Sequence, residues 1–187
     1  MKYILTILII VLYLNSVSAK DTAIHSDTTN HVFFLHNKIL EDMPDNPYSN
    51  QYGKYEFDAI VNSFSQKGYV VHARIRPENA DPDQYSWLVA KSIDSLLKLG
   101  VSPRRITIVG TGKGALIAML ASDHIRVKDV KYVIVGGCNK WVSKYFHIDA
   151  HGTILSIYER TDHVWNSCDS IMTHSHGVYK YDEIELV

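Results

Sequence analysis

The chain has 187 residues, with 19 Lys and Arg against 20 Asp and Glu, and a formal net charge of −1. That length suits one domain with a sizeable core. The balance of charge gives no electrostatic footing for a nucleic acid or an anionic membrane surface, so neither is expected as a partner.

Met1-Lys2 is followed by an almost wholly apolar run from Tyr3 to Leu14, then by Asn15-Ser-Val-Ser-Ala19. A basic start, a short apolar core and small residues at Val17 and Ala19 read as a secretory signal peptide over 1–19. The run is short of the ~20 residues a spanning helix needs. The remaining chain is therefore expected to be exported, periplasmic or secreted, and free of the membrane. Residues 20–30 are polar and patternless and read as a flexible leader, with a single domain over 31–187.

His31-Val-Phe-Phe-Leu35 is an apolar strand ending at His36-Asn37. Glu41 to Gly53 reads as a loop, with Pro44, Asp45-Asn46-Pro47 and Asn50 as turn signals. Tyr55 to Lys67 places Phe57, Ile60, Val61 and Phe64 on one helical face, and Gly68 stops that helix. Tyr69 to Ile75 is the next strand, closed by Arg76-Pro77. Asp81-Pro82-Asp83 opens a helix that runs to Leu99, expected to bury Trp87, Leu88, Ile93, Leu96 and Leu97.

A strand from Ile106 ends at Gly110, and Thr111-Gly-Lys-Gly114 leads at once into an apolar helix, Ala115 to Ser122. Val130–Val135, Thr153–Tyr158 and Tyr181–Val187 complete the strands. Apolar runs rather than alternation, separated by helices, demand a mainly parallel sheet covered on both faces, which is a doubly wound α/β domain. Its site belongs at the carboxyl ends of the strands.

The glycine turn admits three chemistries. A dinucleotide fingerprint needs an acid at the end of the next strand, and that strand ends Gly136-Gly137-Cys138-Asn139. A phosphate loop needs a hydroxyl residue after Lys113, and Gly114 stands there. A nucleophile elbow, G-x-S-x-G, fits Gly110 to Gly114 in all but its centre, where Gly112 replaces the nucleophile. Asp162, just after a later strand, is placed as the acid of such a site. The backbone near His36 and Asn37 is placed as an oxyanion donor, with Lys113 beside it.

Val32-Phe-Phe-Leu-His-Asn-Lys-Ile-Leu-Glu41, Gly53-Lys-Tyr-Glu-Phe57 and Gly100-Val-Ser-Pro-Arg-Arg-Ile-Thr107 carry a resemblance that Val109-Gly-Thr-Gly-Lys-Gly114, Gly137-Cys138, Leu155-Ser-Ile-Tyr158, Asp162 and Ser167-Cys168 extend. In these pieces the chain resembles a family of small, mostly uncharacterised α/β-hydrolase-fold proteins. The resemblance implies an α/β-hydrolase-type sheet and descent from hydrolases of small ester-like or acyl substrates. It also marks three departures: Asn37 stands where the family has glycine, Gly112 where it has serine, and Val187 precedes the loop that would carry the histidine.

Without a nucleophile, serine-type hydrolysis is not expected. The expectation is a pseudoenzyme that binds a small molecule or a partner. The alternative is a hydrolase with a non-standard nucleophile, or a water activated by Asp162 and His176. Thr111 precedes the elbow centre and is expected to point away from the site, and Trp141, Tyr145 and Trp165 are candidate pocket linings. Cys138 and Cys168 are either a disulfide or two buried thiols. His163, Cys168, His174 and His176 match no strong zinc spacing, so no metal and no cofactor is expected.

Overall fold

Residues 28–50 and 52–187 are described by a computed structural model of the chain. The expected signal peptide and most of the expected leader lie outside the described residues. β1 (Asn30–Leu35) is followed by a short helix, α1 (Ile39–Asp42), and a two-stranded hairpin, β2 (Tyr48–Ser49) and β3 (Gly53–Lys54). Next come α2 (Phe57–Gln66), β4 (Tyr69–Ala73), α3 (Pro82–Lys98), β5 (Ile106–Thr111) and α4 (Lys113–Ile125). The last part is β6 (Lys131–Val135), α5 (Lys140–Tyr145), β7 (His151–Glu159), α6 (Asp169–His174) and β8 (Gly177–Leu186).

Six strands form one sheet in the order β4-β1-β5-β6-β7-β8, and every pairing is parallel. The chain adds β4 on one side of β1 and then crosses to add β5 on the other. The reversal of direction therefore falls between β1 and β5, whose carboxyl ends carry Asn37 and Gly112. An open α/β sheet leaves a crevice at such a point. This is the doubly wound α/β architecture expected from the sequence.

Local sequence explains the elements. Asp81 caps α3 by accepting from the Gln84 N–H at 2.8 Å, with Pro82 at the first helical position. α4 is buried without a break from Gly114 to Ser122, because it lies against the middle of the sheet. Ile106, Ile108, Ile134 and Ile154 fill the core beneath it.

Two expectations are corrected. Glu41 is not loop: it belongs to α1 and is buried. The buried face of α3 is Ser86, Val89, Ala90 and Ile93, while Trp87 and Leu88 are exposed. α3 packs closely on α4, and close approach favours the small residues; Trp87 instead stacks on the His124 ring at 3.7 Å. The short helices α5 and α6 carry too few residues to show a period. Cys138 and Cys168 form a disulfide, with Cα atoms 5.1 Å apart, that joins the segment after β6 to the start of α6. A loop of that size contributes about 3–4 kcal/mol in the chain-entropy account.

Candidate functional site

The turn between β5 and α4 has the geometry of an elbow. Gly112 sits at its apex with φ 54° and ψ −119°, in a region that side-chain-bearing residues rarely occupy. Its N–H donates to the Val135 carbonyl at 3.0 Å, and its carbonyl accepts the first N–H groups of α4, from Ala115 and Leu116. The turn is also pressed from both sides. A Cβ on Gly114 would stand 2.0 Å from the Leu35 carbonyl oxygen, and one on Gly110 would stand 2.4 Å from that of Gly114.

What faces the apex is Asn37. A Cβ on Gly112 would stand 2.6 Å from Asn37 Nδ2 and 2.9 Å from its Cγ. The carboxamide thus fills the space a nucleophile's side chain would enter. Asn37 Oδ1 also accepts weakly from the Ile39 N–H at 3.4 Å, turning the chain into α1. The backbone N–H of Asn37 is 3.4 Å from the Tyr55 hydroxyl, which in turn meets Thr111 Oγ1 at 2.9 Å. The expected oxyanion donor and the one hydroxyl next to the apex are therefore both engaged with Tyr55.

Beneath Asn37 lies a buried charge network that sequence reasoning missed. Arg76 Nε donates to Glu41 Oε1 at 2.6 Å, and Lys113 Nζ to Glu41 Oε2 at 2.5 Å. The side chains of Arg76 and Glu41 are both 0% exposed, and that of Lys113 is 15% exposed. Lys113 is thus not a surface residue: it ties the start of α4 to α1. His36 is enclosed by the same group. Its Nε2 accepts from the Arg76 backbone N–H at 2.8 Å, which assigns the proton to Nδ1, donating to the Asn37 carbonyl at 2.6 Å. Together these bonds fix the turn that holds Asn37 over Gly112. No local pattern announces them, since Glu41 lies 35 residues from Arg76 and 72 from Lys113.

Burial, and then the Arg76 guanidinium, lower the His36 pKa from 6.5 to about 4. His72 is lowered as well, by burial and by His31 beside it. Between these values the unfolded chain binds protons that the folded chain refuses. The stability held above pH 6.5 should accordingly fall as the pH drops to about 4, with a slope for His36 of at most about 1.4 kcal/mol per pH unit. Urea unfolding at pH 7 and pH 5 measures this loss, and His36→Gln should reduce it.

The other expected site residues are scattered. Asp162 does lie past the carboxyl end of β7, on the elbow's side of the sheet. Its Oδ1 accepts from the N–H groups of Val164 (2.7 Å) and Trp165 (3.2 Å), so the carboxylate closes a local turn. His176 is corrected: it precedes β8 at the amino end of the sheet, where its N–H donates to Asp149 Oδ1. The length of β7 separates it from Asp162 by roughly 25 Å. It cannot orient or activate anything at the elbow, because α6 carries the chain back across the sheet before His176 is reached. Cys168 is committed to the disulfide and offers no thiolate to a metal.

Trp165 covers the end of β6, 3.0 Å from where a Gly136 Cβ would stand, while Trp141 and Tyr145 pair with each other on the exposed side of α5. Two cavities, of about 510 and 440 Å³, lie against α3 and between α5 and α6. Neither is lined by Gly112, Asn37, Asp162 or the three aromatic residues.

Solved structures with this architecture include an acetyl xylan esterase from Paenibacillus sp. R4, at 14% identity and a TM-score of 0.52, covering 87% of this chain and 69% of that one. An esterase/lipase from an uncultured bacterium is 11% identical with a TM-score of 0.52, covering 86% of this chain and 68% of that one. Neither a protein-family model nor a curated protein sequence matches the chain. The likeness defines the class by its fold, which is of the α/β-hydrolase type. A shared fold does not fix the chemistry, which rests on the residues of the site.

Proposed function

We propose that this chain is an exported pseudoenzyme of the α/β-hydrolase fold, without serine-hydrolase chemistry, that binds a small molecule or a partner at the carboxyl ends of its strands. The observation that carries the reading is the pairing of Gly112 with Asn37. Glycine at the apex leaves no atom to attack a carbonyl, and the carboxamide occupies the space a serine would use. Loss of the nucleophile from such a site removes several orders of magnitude of rate, down to weak residual catalysis.

The loss has been accommodated: the position that would need to be small above a serine carries Asn37, held by the turn into α1. Export rests on the signal-like pattern of residues 1–19, and the near-zero net charge argues against nucleic acid and membrane surfaces as partners. Descent from enzymes acting on small esters would leave a cleft suited to an ester-sized ligand.

A panel of p-nitrophenyl esters, offered to the purified protein and to Asp162→Asn, tests this reading. The expected result is no turnover above the uncatalysed rate for either, and none for Gly112→Ser. Turnover that Asp162→Asn abolishes would establish a hydrolase with a non-standard nucleophile or an activated water instead.

A further inference from the structure

At the amino end of the sheet, opposite the elbow, four side chains from four different segments converge. Asp123 lies in the last turn of α4, Asp149 in the link from α5 to β7, His151 at the start of β7 and His176 just before β8. Ligand atoms of Asp123, Asp149 and His151 all lie within 4.8 Å of one another. His176 Nδ1 is 3.5 Å from Asp149 Oδ1, on a side chain that is 91% exposed and so free to turn inward.

From this convergence we infer that Asp123, Asp149, His151 and His176 form a binding site for one divalent transition-metal ion of the zinc type. Two carboxylates and two imidazoles make a mixed oxygen and nitrogen set. It suits zinc and its late first-row neighbours, whereas calcium and magnesium take oxygen ligands throughout. Bonds of about 2.0–2.1 Å in a tetrahedron put ligand atoms about 3.4 Å apart, a contraction that side-chain rotation supplies.

A cation already sits between the carboxylates. Arg126 Nη2 lies 2.8 Å from Asp123 Oδ1 and 3.9 Å from Asp149 Oδ2. Its side chain is largely exposed and can swing out, so a metal ion would displace it and gain the two imidazoles that a guanidinium cannot use. The His176 N–H donates to Asp149 Oδ1 at 2.7 Å and so ties the segment before β8 to the carboxylate at the centre of the group. The groove of about 440 Å³ between α5 and α6 opens on Asp149 and His176 and gives the ion a way in. Binding here would join the end of α4 to the starts of β7 and β8, independently of the elbow.

The experiment titrates untagged, chelator-stripped protein with Zn²⁺ near neutral pH, by calorimetry and by thermal melting. One equivalent should bind and raise the melting temperature. Asp123→Asn with His151→Gln, checked for folding by circular dichroism, should weaken binding about tenfold or more. Arg126→Gln keeps every ligand, removes the competing cation, and should tighten binding severalfold. Absence of stoichiometric binding would overturn the inference. So would binding undiminished in the double variant but lost in His147→Gln with His174→Gln, the other histidines of the groove. Should the double variant fail to fold, an Arg126→Gln protein that binds zinc no tighter than the native chain would overturn it too.

Discussion

Replacing Glu41 with alanine should cost about 3–5 kcal/mol of stability, the usual penalty for breaking a buried ion pair by removing one partner. The carboxylate is the sole anion between Arg76 and Lys113 in the network, and the side chains of Glu41 and Arg76 are both 0% exposed. Removing it strands a buried guanidinium whose Nη1 already has no hydrogen-bond partner. Lys113 retains some solvent and suffers less. The paired replacement Glu41→Leu with Arg76→Met should recover most of the loss, because a buried pair exchanged for apolar side chains of similar volume is often tolerated. Urea denaturation of the three proteins measures the effect. A cost below about 1 kcal/mol for Glu41→Ala would mean that the network does not hold the turn carrying Asn37.

Gly114→Ala is expected to be the more damaging change, at more than about 4 kcal/mol or outright failure to fold. The added methyl carbon would stand 2.0 Å from the Leu35 carbonyl oxygen and 2.6 Å from that of His36. Both obstacles are backbone of β1 and its exit, so α4 would have to lift from the sheet. Gly112→Ala meets only the end of the Asn37 side chain. Its cost should be the smaller one of a positive φ, about 1–3 kcal/mol. Soluble yield and denaturant melts of the two variants rank them; equal stability would show that the close approach of α4 to β1 has slack.

These two sites show what the sequence carried and what it did not. Strands announced themselves as β-branched apolar runs, and helix starts through local chemistry such as Asp81 with Pro82. The spacing of Gly110, Gly112 and Gly114 located the elbow, since each glycine answers a clash within a few residues or against the neighbouring strand. The face of α3 was misread because apolar character was counted where closeness to α4 decides, and Ser86 and Ala90 go inward past Trp87 and Leu88. The charge network was invisible for a different reason: it joins α1, the exit of β4 and the start of α4, brought together only by the order of strands. His176 illustrates the same limit, since position in the chain does not say at which end of a parallel sheet a residue emerges.

A single measurement bears most directly on the loss of serine chemistry: the intact mass of the protein after incubation with an excess of a fluorophosphonate, which phosphonylates an activated nucleophile irreversibly. With Gly112 at the apex and Asn37 in the side-chain space, the mass should remain that of the unmodified chain. A stoichiometric adduct that peptide mapping places on Thr111, or on another residue at the carboxyl ends of the strands, would contradict the account and identify the nucleophile it denies.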